Sequence, residues 1–156
     1  MKHQIATNPE QSQRLIACGV NPHSADMCYL YWDESGDQLS RDEYLEIFND
    51  SFLDGRVELV PKDFADYDHS YETDSPAWSL SALLALLPKE ITDDNGNEYH
   101  FSLAYERPLC SDYDVSYKPC WFDGEDLIAK HDSSPIEACV QMIEWLTANG
   151  YTLNTK

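Results

Sequence analysis

The chain reads as an α+β domain, an antiparallel sheet of about four to five strands with two to four helices packed mainly on one face. Two observations predict this. Capped helical stretches stand near both ends and in the middle, and short aromatic or β-branched runs bounded by turn residues lie between them. The second half also runs in the order helix, three strands, helix over residues 77–150. A length of 156 residues suits one domain, taken as 1–156, and is enough to bury a core without disulfide or metal support.

Thr7-Asn8-Pro9-Glu10 has the form of a capping box with Thr7 as the cap, opening a helix to about Cys18 that Gly19 stops. Asn21-Pro22 marks a turn, and Met27 to Trp32 (MCYLYW) reads as a strand. Ser40-Arg41-Asp42-Glu43 is a second capping box. Behind it Tyr44, Leu45, Phe48 and Phe52 recur at helical spacing, and Asp54-Gly55 ends the helix. Arg56 to Val60 reads as a strand closed by Pro61, and residues 62 to 75 as an irregular crossing. Trp78 to Leu87 is apolar on most faces, as a buried helix would be, and Pro88 closes it.

Glu90 to Thr92, a turn at 93–97 containing Asn95-Gly96, and Tyr99 to Tyr105 form a hairpin. Asp114 to Lys118 and Asp126 to Lys130 are further strands. Ser134-Pro135-Ile136-Glu137 combines a Ser cap, Pro at the first helical position and Glu at the third. The helix it opens buries Ile136, Cys139, Val140, Ile143 and Leu146 and stops at Asn149-Gly150.

Charge is the sharpest global property. Lys and Arg total 10 against 29 Asp and Glu, a formal net charge of -19, while aromatics reach 12%. A disordered acidic chain has few aromatics, so the acidity sits on a folded object. Such a surface repels nucleic-acid phosphates and anionic lipid and attracts basic protein surfaces. The same charge also serves solubility. No apolar run reaches membrane-spanning length, and the N-terminus lacks a signal-peptide core, so a cytoplasmic setting is expected.

Five cysteines at 18, 28, 110, 120 and 139 are an odd number, against a closed disulfide framework. None lies two to four residues from another, as zinc ligand pairs do, so no metal and no cofactor is expected. There is no G-x-S-x-G elbow, no HExxH and no phosphate-binding glycine loop. The run Asp93 to Glu98 fails as a calcium loop, because the sixth position is Glu98 and the twelfth Ala104. The residual candidates for chemistry are Cys120 with His131, or an unspecified carboxylate pair; Cys110 and Cys120 flank one strand and could approach each other.

The acidic aromatic stretch 62–75 is the candidate partner-binding segment, through Asp63, Asp66, Tyr67, Asp68, Tyr71, Glu72 and Asp74. Spaced carboxylates imitate nucleic-acid phosphates, and aromatic rings supply hot-spot contacts. The bland alternative is a solvated loop whose rings tuck onto the core.

Three stretches also carry a resemblance. They are Gln11-Ser12-Gln13-Arg14-Leu15-Ile16 through Ser24-Ala25-Asp26-Met27, Pro76-Ala77-Trp78-Ser79-Leu80 through Leu87-Pro88, and Glu137-Ala138-Cys139-Val140 through Trp145-Leu146 and Asn149-Gly150-Tyr151. In these the chain resembles a group of small uncharacterised proteins from phages and prophages of gut bacteria. Residues 33–60 depart from the pattern and read as an insertion. The resemblance implies an accessory protein of a mobile element and transfers no catalytic residue.

The expectation is an acidic, non-enzymatic interaction protein that binds a basic protein, nucleic-acid-binding proteins among the candidates, and touches neither nucleic acid nor membrane directly. The rivals are a small enzyme using Cys120/His131 or a carboxylate pair, and a phage structural or assembly component.

Overall fold

The computed structural model describes residues 4–48, 57–63, 75–106, 112–121 and 123–154. Its first helix, α1 (Pro9–Ala17), is capped by Asn8 rather than Thr7. Asn8 Oδ1 accepts from the Gln11 amide at 2.8 Å, and Gln11 Oε1 accepts from the Asn8 amide at 3.0 Å. Thr7 is used elsewhere. Its amide donates to the Trp78 carbonyl at 2.9 Å and its hydroxyl accepts from the Trp78 amide at 3.0 Å, so the chain before α1 is stitched to a segment seventy residues away. The helix ends as expected at Gly19, where the Gly19 amide reaches the Ile16 carbonyl and the Val20 amide the Leu15 carbonyl.

A short 3-10 helix (Pro22–Ser24) leads into β1 (Met27–Trp32), followed by β2 (Gln38–Leu39), α2 (Arg41–Phe48), β3 (Val57–Pro61) and β4 (Pro76–Ala77). β1 lies at the middle of a four-stranded antiparallel sheet. β3 pairs along one edge, while β4 and β2 share the other, at its start and its end (Met27↔Pro61 and Met27↔Ala77; Tyr31↔Val57 and Tyr31↔Leu39). One face of β1 buries Cys28 and Leu30 with Val60. On the other face the Tyr31 ring lies 5.0 Å from that of Tyr44, a buried residue of α2, and the Tyr31 hydroxyl bonds Ser75. Ser40 caps α2 through its hydroxyl, as the sequence suggested. Phe52 and Asp54-Gly55 lie outside the described residues.

The second half supplies α3 (Leu80–Leu86), β5 (Glu90–Thr92), β6 (Glu98–Glu106), β7 (Asp112–Pro119), β8 (Ile128–Asp132) and α4 (Pro135–Ala148). β5 to β8 form a second four-stranded antiparallel sheet in simple sequential order. The α+β class thus holds, with the strands divided between two sheets. α3 starts two residues later than the apolar run does. Trp78, fully buried, keeps extended pairing with Thr7 and donates its indole N–H to Ser24 at 3.0 Å, so Ser79 becomes the cap. β8 starts two residues later than expected; its register begins at Ile128↔Tyr117, and Asp126 ahead of it pairs with Lys118.

The main core lies between the second sheet and helices α1, α3 and α4. Ile91, Tyr99, Val115 and Tyr117 pack there against Leu83, Leu86, Ile136, Cys139, Val140, Ile143 and Leu146. Strand alternation places these strand residues on one face. The capping residues of α4 behave as read, except that Glu137 turns outward to α1. It accepts from Gln11 Nε2 at 2.6 Å and from Arg14 Nη1 at 2.8 Å, while Arg14 also reaches Glu144. α1 is therefore held on α4 by a double carboxylate clamp. Burial pulls the Glu137 carboxyl upward, but the bonds from Gln11, Arg14 and Gln141 outweigh it and leave it below its ordinary range.

Candidate functional site

Of the seven residues that the sequence offers for partner binding, the structure describes one. Asp63 is exposed just after β3, whereas Asp66, Tyr67, Asp68, Tyr71, Glu72 and Asp74 lie outside the described residues. Cys110 does too. Among the others, Cys28 and Cys139 are buried, Cys18 is half-buried and Cys120 is exposed. Burial pushes the Cys139 thiol up to about 12, as suits a small apolar core residue.

Cys120 and His131 are not brought together. His131 stands opposite Asp114, six residues along β7 from Cys120, about 20 Å at roughly 3.3 Å per residue. The imidazole that reaches Cys120 is that of His100, with Nδ1 at 3.8 Å from Sγ. The cause is register. Tyr99 pairs with Pro119, and the Cys120 amide continues the ladder to the Glu98 carbonyl, so residues 98–100 flank the end of β7.

That end of the second sheet gathers the most distinctive surface among the described residues. The turn between β5 and β6 is built on Asp93. Its Oδ1 accepts from the Asn95 and Asn97 amides at 2.9 and 2.8 Å, and its Oδ2 from Asn97 Nδ2 and the Tyr99 hydroxyl at 3.0 and 3.2 Å. These bonds, the Asn97 side chain first, hold the Asp93 carboxyl below its ordinary value. Gly96 sits at φ +83, the left-handed position that closes this kind of turn. Beside it the Trp121 ring meets Tyr99 edge-on at 5.3 Å and stays 43% exposed. Asp94 and Glu98 of the adjoining hairpin, and Asp123 and Glu125 just after Trp121 in the chain, are all exposed. An exposed amphipathic ring is a binding feature of the kind found at interface centres.

The turn at 33–37 repeats this geometry. Asp33 Oδ1 accepts from the Ser35 and Asp37 amides, each at 2.8 Å, and the Asp33 amide donates to the Asp37 carbonyl as that of Asp93 does to Asn97. Sequence reading missed this hairpin and the Trp121 cluster. The shared pattern Asp-x-(Ser/Asn)-Gly-(Asp/Asn) at 33–37 and 93–97 was the available signal.

The face of the second sheet away from the core carries Glu98, His100, Ser102, Asp114, Ser116, Lys118 and His131 by strand alternation. Asp114 and Ser116 are 6% and 1% exposed, and Asp114 Oδ1 and Ser116 Oγ have no hydrogen-bond partner among the described residues. Among the described residues no three His, Cys, Asp or Glu side chains gather as a metal site. Nor is any described helix long and apolar enough to cross a membrane.

The fold and surface together define an α+β protein with an acidic, aromatic sheet end. No family model, curated protein or solved structure matches the chain.

Proposed function

We propose that the protein is a non-enzymatic interaction protein that captures a basic protein surface, as an accessory protein of a phage or other mobile element. The observation that carries this reading is how the charges are deployed. Arg14 is engaged by Glu137 and Glu144, Lys118 by Asp126, and Lys62 donates to the His23 carbonyl. Asp94, Glu98, Asp123 and Glu125 are exposed to solvent instead. With a net charge of -19, the exterior presents a negative field with few cations to interrupt it. The partner is a Lys- and Arg-rich protein, and a nucleic-acid-binding protein fits that description. The acidic stretch at 62–75 extends the same surface chemistry in sequence.

The test is retention of a basic protein from host lysate by the immobilised protein, compared at low and high salt and with a Trp121→Ala/Glu98→Gln/Glu125→Gln variant. Release by salt and loss in the variant are expected. Binding that ignores both would sink the proposal.

A second reading rests on the Cys120–His100 contact. An exposed thiol beside an imidazole is the elementary unit of nucleophilic thiol chemistry. A small enzyme built on it would show Cys120 alkylation much faster in the parent than in His100→Ala. Equal rates would remove it.

A further inference from the structure

Away from the Trp121 cluster, two depressions of about 240 and 210 Å3 lie side by side and share Ser24, Leu86 and Asn154. They form one groove with two lobes. Its walls come from the end of α1, the short 3-10 helix, α3 and the C-terminal tail. The tail is fixed in place, since the Asn154 amide donates to the Leu86 carbonyl at 2.8 Å and its side chain to the Leu87 carbonyl at 3.1 Å. The Ser24 wall is fixed too, by the indole N–H of the buried Trp78. The groove is thus preformed rather than assembled on binding.

The two lobes differ chemically. The larger has an apolar lining from Val20, Leu86 and Leu153. The smaller holds Asp26, the one acidic side chain in either lobe among the described residues, and no described basic side chain lines the groove. Asp26 Oδ1 accepts from the Ser79 amide at 2.9 Å and Oδ2 from the Ser79 hydroxyl at 2.5 Å. That tether uses one lone pair on each oxygen and leaves each a further acceptor site.

We infer that this groove is a binding site for a small amphipathic cation, with its apolar body in the Val20–Leu86–Leu153 lobe and its ammonium or guanidinium group at Asp26. The net charge of -19 enriches cations at the surface and opposes an anionic occupant. The lobe volume, below the roughly 300–1,000 Å3 of ordinary drug-sized pockets, limits the body to about a single ring system. The same chemistry could reach the groove on a free amine or on a lysine side chain. The site stands independently of the partner reading above, which concerns a different surface.

The experiment is an amide NMR titration of the isotope-labelled full chain with tryptamine, indole and indole-3-acetate. Tryptamine is expected to shift Val20, Leu86, Ser81 and Leu153. Indole should bind weaker by about tenfold or more and indole-3-acetate not at all. Asp26→Asn, which keeps hydrogen-bonding atoms for Ser79, should reduce tryptamine to the level of indole. Ser81→Lys, at an exposed α3 position that leaves Asp26 untouched, should do the same should Asp26→Asn fail to fold. A hexalysine peptide assigns the source: groove shifts with the peptide but not with tryptamine would replace the free amine by a side chain. Equal binding of tryptamine and indole, or shifts confined to the Trp121 end, would overturn the inference.

Discussion

Removing the clamp between α1 and α4 tests how these two distant segments are held together. Arg14 Nη1 lies 2.8 Å from Glu137 Oε1, and the two side chains are 29% and 19% exposed. Arg14 also donates from Nε to Glu144 at 3.1 Å, where the carboxylate is 37% exposed. The more buried arm is a charge-assisted pair whose carboxylate would stay partly desolvated without its partner, a loss of about 1.5 kcal/mol. The outer arm is screened by water and contributes about 0.5 kcal/mol. Arg14→Ala should therefore destabilise by about 2 kcal/mol, or about 4–8 °C in Tm for a chain of this size. Arg14→Met, which keeps the apolar stem, separates packing from charge.

Acidity adds a signed check. The folded Glu137 carboxyl titrates below its unfolded value, so its contribution is complete above the unfolded pKa of about 4.3 and is lost as pH falls through the lower folded value. Calorimetry should show a wide gap between parent and variant at neutral pH and a narrower one in acid. A variant within about 0.5 kcal/mol of the parent at neutral pH, or a gap that ignores pH, refutes the clamp.

Other outcomes follow from single sites. Gly96→Ala forces a side chain into the left-handed region at φ +83 and should cost about 1–2 kcal/mol, read as a lower denaturation midpoint, although open space surrounds its Cβ position. Ser116→Ala removes a buried hydroxyl without a partner and should be neutral or raise stability by about 1 kcal/mol in urea titration; a loss would mean the hydroxyl is satisfied in solution. Among the described cysteines, thiol labelling of the native protein should modify Cys120 first and Cys18 next. Cys28 and Cys139 should react only after unfolding, and early labelling at Cys139 would contradict its place in the core.

Local signals were the legible part of the sequence. The stops at Gly19 and Asn149-Gly150, the Ser40 and Ser134 caps, the hairpin at 93–97 and the inner face of α4 depend on neighbouring residues alone, and all stand where the sequence put them. Misreadings came where distant chain intervenes. Thr7 was displaced as a cap because its hydroxyl and amide serve Trp78, and Trp78 was read as helical because an apolar run does not reveal that its backbone pairs with Thr7. Two sheets replaced one because nothing local marks that Met27 pairs with both Pro61 and Ala77. The acidity was plain from composition, but the meeting of Trp121 with Tyr99 depends on the register of β6 and β7. The same register brought His100, not His131, to Cys120.

The uneven sequence separation of the two sheets has a kinetic consequence. β5 through α4 form an unbroken run in which every strand pairs with its neighbour in the chain, so loop closure is short throughout. The sheet around β1 must instead close loops from Met27 to Pro61 and to Ala77, and α1 must find α4 across more than a hundred residues. The C-terminal half should thus acquire amide protection first in pulse-labelled refolding. The amides of β1 and α1 should lag, and in early transient species Glu137 and Glu144 of α4 should still be open to solvent where α1 later docks.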